Sequence, residues 1–200
     1  MVDTTKSRRE EYSEATREAL LTAAGELFVQ HGYHAVGIES IARAARVTRG
    51  AFYHHFADKT ALFDTLIVKL QQDATTRVVA KAQRERDRWK QLRTGIDAFL
   101  EICTEPTYRR LVIEEAAGVL GSKRCREIED QTAVGLMVRA MVELKRQGEL
   151  EVEDPALAAR MIASMICEVA LLLADSTDRK SVRNAANKVV DRVLTAFRSK

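Results

Sequence analysis

The segment IESIARAARVTRGAFYHHF, residues 38–56, is the most informative part of this sequence. Apolar residues at helical spacing predict a short helix over about 38–45 and a second helix from Arg49 onward, joined by a tight turn at residues 46–47. Thr48 can cap the second helix, because its hydroxyl can accept a free backbone N–H. Two short helices joined by such a turn are typical of a helix-turn-helix, whose second helix lies in the DNA major groove.

The second helix of this stretch has an apolar side and a polar side. Phe52 and Phe56 are spaced to face a core, and Arg49, Tyr53 and His54 then project outward. An arginine can form a bidentate contact with guanine, and a tyrosine can reach a phosphate or the methyl group of thymine. The outward side therefore has the side chains that a base-reading helix needs.

Cations gather around the same stretch. Residues 43–59 contain four lysines and arginines and one acid, although the first sixty residues are formally neutral, with eight charges of each sign. Free N–H groups near Thr48 and Gly50, at the start of the second helix, also favour phosphate. The stretch thus has the charge of a surface that attracts a nucleic-acid backbone.

Outside this stretch the sequence predicts helices and no strands. The 200 residues include only two prolines and nine glycines, and so few breakers favour long helices. We predict helices over about 16–31, 59–84, 88–103, 107–119, 122–147, 155–174 and 179–198, with caps or ends at Gly32, Asp58, Ser122, Gly148 and Asp154. The expected fold is all-α with about nine helices, divided into an N-terminal arm and three-helix domain, residues 1–60, and a helical domain, residues 61–200.

The composition argues against membrane and secreted proteins. The longest strongly apolar region, residues 161–174, is shorter than the roughly 18 residues that a membrane span needs. The N-terminus is polar and lacks the apolar centre of a signal peptide. We therefore expect a cytoplasmic protein without a membrane partner. Its separated cysteines, Cys103, Cys125 and Cys167, predict reduced thiols in the core, with redox sensing as the alternative.

No pattern in the sequence indicates an enzyme or a metal site. His31, His34, His54 and His55 have no carboxylate or cysteine at ligand spacing. We find no glycine-rich phosphate loop and no set of nucleophile, base and carboxylate in a recognisable context. We expect no catalytic residues, no metal and no cofactor.

Residues 16–66 resemble, without a gap, the DNA-binding domain of the TetR family of bacterial regulators. The matching segments are AAGELF at 23–28, GY at 32–33, IA at 41–42, ARVT at 45–48 and FYHHF at 52–56, together with Gly50, Lys59 and Leu62. The resemblance implies ten DNA-contacting residues, some at bases and the others mostly at phosphates: Tyr33, Gly37, Arg46, Thr48, Arg49, Gly50, Tyr53, His54, His55 and Lys59.

Two of these positions depart from the family pattern. Gly37 stands where a threonine commonly caps the second helix and binds a phosphate, and glycine can cap without a side-chain contact. Arg46 stands where a glycine commonly makes the turn. If the turn requires a positive φ, Arg46 adopts it at a cost of about 1 kcal/mol and places another cation near the DNA backbone.

The resemblance also implies a C-terminal domain that binds a small-molecule effector and forms a homodimer. The predicted effector pocket consists of Phe99, Cys103, Tyr108, Glu115, Met137, Met141, Met165 and Glu168. Glu168 lies in an apolar run, so a buried carboxylate is expected there, facing either the ligand or the dimer interface. The predicted dimer interface, a four-helix bundle of the last two helices of each subunit, consists of Met161, Leu172, Val182, Val189, Val193 and Phe197.

These expectations combine into a repressor that a ligand releases from DNA. A two-fold dimer places its two recognition helices about 34–36 Å apart, so double-stranded DNA with a pseudo-palindromic operator is the expected partner. The helix over 59–84 spans both domains and is the expected lever between effector and DNA. The alternative is an architectural or division-linked DNA-binding protein without a small-molecule effector. The sequence leaves open the effector, the operator and the choice between repressor and activator.

Overall fold

The computed structural model describes residues 7–199, so residues 1–6 of the predicted N-terminal arm and residue 200 lie outside the described residues. The helices are α1 (Arg8–His31), α2 (Ile38–Ala44), α3 (Arg49–His55), α4 (Lys59–Ala82), α5 (Arg88–Cys103), α6 (Pro106–Tyr108), α7 (Ala116–Asp130), α8 (Ala133–Arg146), α9 (Pro155–Asp175) and α10 (Arg179–Ala196), with a π-helix, Arg109–Glu115, between α6 and α7. Within residues 7–199 the only pairing of extended backbone is an isolated bridge between Leu150 and Arg198. The prediction of an all-α fold is confirmed.

Helix α1 begins earlier than its apolar pattern predicts. The Ser7 hydroxyl accepts the Glu10 N–H at 3.3 Å, and the Glu10 carboxylate accepts the Ser7 N–H at 2.8 Å. This reciprocal pair is a capping box, which satisfies two N–H groups at the helix start. The first turns are polar and exposed, so hydrophobic periodicity did not reveal them. At the other end Gly32 stops the helix, as predicted, with φ 78°.

Helices α2 and α3 form the predicted helix-turn-helix. Arg46 adopts φ 58° in the turn and is the only non-glycine residue with a positive φ in the part of the chain that the structure describes. The Val47 N–H donates to the Ala42 carbonyl at 2.9 Å, which closes the turn. The Thr48 hydroxyl accepts the Ala51 N–H at 3.1 Å and caps α3, as predicted.

Helix α4 contributes to two hydrophobic cores. We call the first core the head cluster; its fully or nearly buried members include Leu20, Leu21, Phe28, Ile41, Phe52, Phe56, Leu62, Phe63, Leu66, Ile67, Leu111, Ala116 and Ile128. We call the second the body cluster; its members include Ala74, Val78, Ile96, Phe99, Met141, Ile162, Ile166, Val190 and Leu194. The first half of α4 lies in the head cluster and the second half in the body cluster. The division at residues 60/61 stays a prediction, because α4 continues through it.

The chain between α5 and α8 differs from the predicted helices over 107–119 and 122–147. A single turn, α6, leads into the π-helix, and α7 is kinked at Gly121, with φ 79° and ψ 153°. The predicted long helix is wrong: α7 ends at Asp130, and α8 begins at Ala133. The buried Thr132 hydroxyl donates to the Ile128 carbonyl at 2.8 Å and stabilises this break. The break places the start of α8 directly after the end of α7. The apolar periodicity of the sequence continues through the break and therefore did not reveal it.

Helix α9 is both a core helix and a surface helix. It starts as predicted, because the Asp154 carboxylate accepts the N–H groups of Ala156 and Leu157 at 2.9 and 3.0 Å. Its buried side lies in the body cluster, and its opposite side exposes large apolar residues. By length and composition α9 is the one helix within residues 7–199 that could cross a membrane, contrary to the expectation that no apolar stretch is long enough. We interpret it as a core helix, since its buried side packs against α5, α8 and α10.

Gly135 allows α8 to begin against the end of α7, and we expect Gly135→Ala to destabilise the protein. A Cβ at this position would lie 1.9 Å from the Asp130 carbonyl oxygen, so the backbone must move. We expect a loss of about 2 kcal/mol or more in the free energy of unfolding, measured by urea denaturation. The control is Gly118→Ala on α7, where a Cβ would meet nothing within 4 Å and should be neutral or slightly stabilising. Equal stabilities for the two variants would contradict the tight corner.

Candidate nucleic-acid interface and apolar cavity

The outward face of α3 consists of Arg49, Tyr53 and His54, all of them exposed. The Arg49 guanidinium donates to the Glu39 carboxylate at 2.9 Å and lies 5.7 Å from the centre of the Tyr53 ring. These contacts orient Arg49 along the exposed side of α3 rather than leaving it free to rotate. Arg49 thus takes part in an ion pair and a cation–π contact, and each contributes little to stability because the site is exposed.

The start of α3 and the turn before it present cations and free N–H groups. Arg46, Thr48 and Gly50 are all exposed, and the positive φ of Arg46 costs about 1 kcal/mol in an L-residue. Gly37 precedes α2 without a side-chain cap, and a Cβ there would meet nothing within 4 Å. All four positions are exposed.

Arg17 joins this surface, and sequence reasoning missed it. Its guanidinium lies 5.2 Å from the centre of the Phe56 ring, at the far end of α3. The partial burial of His55, and then the positive charges of His54 and Arg17, lower the pKa of the His55 imidazole. The positive cluster therefore extends from α3 to α1. Only the packing of α1 against the end of α3 shows it, since 37 residues separate Arg17 from His54 in the sequence.

Tyr33 and Lys59 hold together the segment that follows α1 and the start of α4. Tyr33 is buried, and its hydroxyl lies 2.9 Å from the Thr60 hydroxyl. The Lys59 ammonium donates to the carbonyls of Tyr33 and Val36 at 2.8 and 2.9 Å and lies 4.1 Å from the centre of the Tyr33 ring. Partial burial lowers the pKa of Lys59. The predicted role of these two residues in holding phosphates stays a prediction, because two of the three N–H donors of the Lys59 ammonium are used within the protein and one is left.

Glu115 connects the π-helix to the segment that follows α1. Its carboxylate accepts the Tyr33 N–H at 3.0 Å and pairs with Arg110 at 3.0 Å. The contact is close, since a Cβ on Gly32 would lie 3.1 Å from both the Arg110 and the Glu115 side chains. The role of Glu115 as a ligand-facing group stays a prediction.

A cavity of about 290 Å³ lies between α4, α5 and α8. Its wall is mainly apolar and includes Val78, Ala82, Leu92, Ile96, Phe99, Leu136, Met137, Ala140 and Leu144. Two of the predicted pocket residues, Phe99 and Met137, line it. The cavity is large enough to hold a small apolar molecule, for which mostly apolar walls with a few polar groups are typical.

Polar side chains gather on one side of this cavity. Gln83, Arg88, Gln91 and Glu143 contribute to its wall, and Arg88 pairs with Glu143 at 3.3 Å between α5 and α8. A hydrogen bond from Arg146, together with the charges of Arg146 and Arg88, lowers the pKa of Glu143 to about 2. The carboxylate is thus ionised at neutral pH, and the cavity has one charged side.

The other predicted pocket residues lie elsewhere. Cys103, Tyr108 and Met141 are buried core residues, and the Tyr108 hydroxyl donates to the Gln71 side-chain oxygen at 2.9 Å. Met165 is half-buried beside the body cluster. Glu168 was expected to be buried but is exposed on α9. Apolar periodicity identified which residues face inward but not which of them border a space.

The predicted dimer residues fall into two groups. Met161, Leu172 and Val189 are exposed, at 65%, 52% and 52%, which is unusual for large apolar side chains. The other three, Val182, Val193 and Phe197, are half-buried and pack against the body cluster of their own chain. The exposed Glu168 lies on α9 between Met161 and Leu172, at helical spacing from both.

Two family models match the chain. "Bacterial regulatory proteins, tetR family" matches residues 20–66, and "Tetracyclin repressor-like, C-terminal domain" matches residues 89–197. The second model alone covers more than half of the 200 residues. The two matches divide the chain near the place where α4 passes from the head cluster to the body cluster.

Individual proteins agree with these models. The chain is 24% identical to the transposon Tn10 TetC protein of Escherichia coli over 170 residues, which are 83% of this chain and 84% of that protein. It is 41% identical to a probable acrEF/envCD operon repressor of E. coli K12 over 89 residues, 43% of this chain but only 40% of that repressor. The crystal structure of a TetR-family transcriptional regulator from Pectobacterium atrosepticum superposes with a TM-score of 0.75 at 29% identity, over 98% of this chain and 99% of the other.

Proposed function

The chain belongs to the TetR family of bacterial regulatory proteins, and we propose that it is a dimeric repressor that an apolar ligand releases from its operator. The observation that carries the proposal is the connection of the exposed α3 face to the apolar cavity through one helix, α4. The head cluster holds the start of α4, and Val78 and Ala82 near its end line the cavity. The proposal includes a cytoplasmic location and no catalytic activity.

In the proposed complex, α3 lies in the major groove. Arg49 contacts guanine and Tyr53 contacts a phosphate or thymine methyl, because both side chains are exposed on the outward face. The backbone N–H groups near Thr48 and Gly50, with the cation of Arg46, hold phosphates at the start of α3. At its other end Arg17 supplies positive charge to the backbone, and the imidazoles of His54 and His55 lie beside it.

Glu39 competes with DNA for Arg49. In the free protein the two side chains are paired at 2.9 Å and both are mostly exposed, so the pair is weak and easily replaced. A guanine offers Arg49 two acceptors in place of the carboxylate, and the charge of Glu39 repels a phosphate close to it.

We expect Arg49→Ala to weaken specific binding by about 1–3 kcal/mol, roughly 5- to 150-fold in Kd. The operator would be selected from a random duplex library with the wild-type protein, and Kd measured by fluorescence anisotropy at fixed salt. The control is Arg86→Ala, an equal change of charge in the exposed loop between α4 and α5. Equal losses in both variants would show non-specific attraction, and no loss with Arg49→Ala would contradict the proposed role of this residue.

The proposed dimer joins α9 and α10 of two chains. The exposed apolar residues Leu157, Met161 and Leu172 on α9 and Val189 on α10 are the residues that a second copy would cover. A two-fold dimer then presents two α3 helices to successive major grooves, about 34–36 Å apart. The interface would rest on half-buried residues that pack against the body cluster of their own chain, namely Val182, Val193 and Phe197.

We expect Met161→Arg to produce a monomer, because an arginine would be taken out of water at the interface without a partner. Sedimentation equilibrium should give two chains for the wild type and one for the variant, with operator affinity at least about tenfold lower. The matched control is Val142→Arg, since Val142 is also an exposed apolar residue, at 48%, but lies on α8. A variant that remains dimeric would place the interface elsewhere.

The ligand acts only if it binds the conformation that does not bind DNA more tightly than the one that does. We propose that it moves the end of α4 from the cavity, and that the head follows because the start of α4 belongs to the head cluster. The bond from the Tyr33 N–H to Glu115 joins the π-helix, whose Leu111 also lies in the head cluster, to the segment that follows α1. A coupling of about 1–3 kcal/mol changes operator affinity about 5- to 150-fold.

We expect Ala140→Phe to fill the cavity and weaken ligand binding while operator binding is retained. The probe is anilinonaphthalene sulfonate, an apolar anion that fluoresces in apolar surroundings, titrated into the native dimer; its apparent affinity should fall at least about tenfold, since a ring occupies its place. Val142→Phe on the same helix is the control, because Val142 is exposed. Unchanged probe binding in Ala140→Phe would exclude this cavity, and the absence of any releasing ligand would favour the architectural alternative.

A further inference from the structure

The cavity between α4, α5 and α8 is elongated. On α5 its wall includes Arg88, Leu92, Gly95 and Phe99, whose spacing of three and four residues follows one side of the helix. The wall residues of α8 extend from Ala133 to Leu144 at the same spacing. Phe99 follows Arg88 by 11 residues, so at a rise of about 1.5 Å per residue the wall along α5 is about 16 Å long.

Polar side chains are confined to one end of this cavity. Arg88 begins α5 and Glu143 lies near the end of α8, and the two side chains pair at 3.3 Å, so the two helices run antiparallel beside the cavity. Gln83, just after α4, and Gln91, in the first turn of α5, complete the polar end. Farther along α5 and α8 the wall has no polar side chain. A ligand that fills the cavity is therefore polar at one end and apolar along the rest.

At the polar end Arg88 is free to bind a ligand and Glu143 is not. The Glu143 carboxylate accepts N–H groups from Arg146 at 2.8 and 2.9 Å and from Gln147 at 2.6 Å, besides the bond from Arg88. Within residues 7–199 Arg88 makes that one bond, so up to four of its five N–H donors are left for another acceptor. Because Arg146 already balances the charge of Glu143, the charge of Arg88 remains. The polar end therefore favours an anion.

The volume and length of the cavity together indicate a chain rather than a compact ring system. An apolar cavity of about 150 Å³ binds benzene, so about 290 Å³ corresponds to about ten to twelve carbon atoms. A fully extended chain advances about 1.2 Å per bond, so a chain of that size is about 12–14 Å long, close to the length of the wall. A fused ring system with as many carbons would not reach from one end of the cavity to the other.

We infer that the cavity binds an unbranched fatty carboxylate of medium length, with its carboxylate at Arg88 and its chain between α5 and α8 toward Phe99. The side-chain amide of Gln83 can donate a further N–H to the same carboxylate. This inference rests on the proposed function, because it names the chemical class of the ligand. The proposed function itself requires only an apolar ligand.

The first test is isothermal titration calorimetry of the full-length protein with saturated, unbranched carboxylates from hexanoate to tetradecanoate. The affinity should rise about fourfold for each added methylene, because each buries more apolar surface. It should level off at about ten to twelve carbons, when the cavity is full. An affinity that does not depend on chain length, or that still rises at tetradecanoate, would contradict the proposed fit.

The head group and the shape are tested with matched ligands. Decyltrimethylammonium replaces the anion by a cation, and methyl decanoate removes the charge. Decanoate should bind at least about fivefold more tightly than either, since hydrogen bonds to charged groups are the stronger ones. Adamantanecarboxylate, a compact cage with a similar number of carbons, should also bind more weakly than decanoate. Equal binding of the ammonium or the ester would overturn the anion, and equal binding of the cage would overturn the chain.

Arg88→Gln removes the cation from a half-exposed side chain, so the fold should be retained. We expect it to lower the affinity for decanoate about fivefold and to leave the affinity for methyl decanoate unchanged. The matched control is Arg86→Gln, the same change at an exposed arginine that does not line the cavity. Equal effects of the two variants on decanoate would overturn the contact with Arg88.

Operator release is measured separately, by fluorescence anisotropy of the labelled operator. Decanoate that binds as expected without releasing the operator would support the ligand class and contradict the proposed release mechanism. Release of the operator by another ligand, with no binding of decanoate, would support the proposed repressor and overturn the ligand class.

Discussion

The structure depends on one helix, α4, that is buried in two hydrophobic cores at once. Leu62, Phe63, Leu66 and Ile67 hold its first half in the head cluster, and its second half, with Ala74 and Val78, lies in the body cluster. Because a helix is stiff, a movement of α4 in one core also moves its other half in the second core. The bidentate pair of Arg124 with Asp64, at 2.6 and 2.9 Å, fixes the side of α4 against α7.

Partly buried polar contacts next to α4 fix the conformation of the segment between α1 and α2. The Lys59 ammonium satisfies two carbonyls of the segment after α1, and the Glu115 carboxylate satisfies the N–H of Tyr33 in the same segment. Buried N–H and C=O groups left without partners would be costly. These bonds therefore hold that segment, and with it the entry to α2, in one arrangement. The bonds of Lys59 and Glu115 therefore fix the backbone that leads into the helix-turn-helix, on whose surface Arg49 is exposed.

The local features of the sequence were sufficient for much of the fold. Apolar spacing and capping residues indicated the helix-turn-helix and the caps at Thr48, Asp58 and Asp154. The positive φ of Arg46 was expected, should the turn require one, from the resemblance to the family, in which a glycine commonly stands there. The long helix over 122–147 was predicted wrongly, because its apolar spacing continues through the break at Thr132. The early start of α1 was missed, because a capping box, not a hydrophobic stripe, begins it. Each of these results concerns interactions within a few residues.

Local patterns in the sequence were therefore enough to predict most of the helices and the outward side chains of α3, since both depend on periodicity and on hydrogen bonds to near neighbours. Which inward residues border a space is settled by tertiary packing. Phe99 and Met137 line the cavity and Met141 does not, although all three are buried. The packing also left Glu168 exposed on α9. The reason is that such relations depend on how helices distant in sequence are rotated and spaced against one another, which a helical period does not encode.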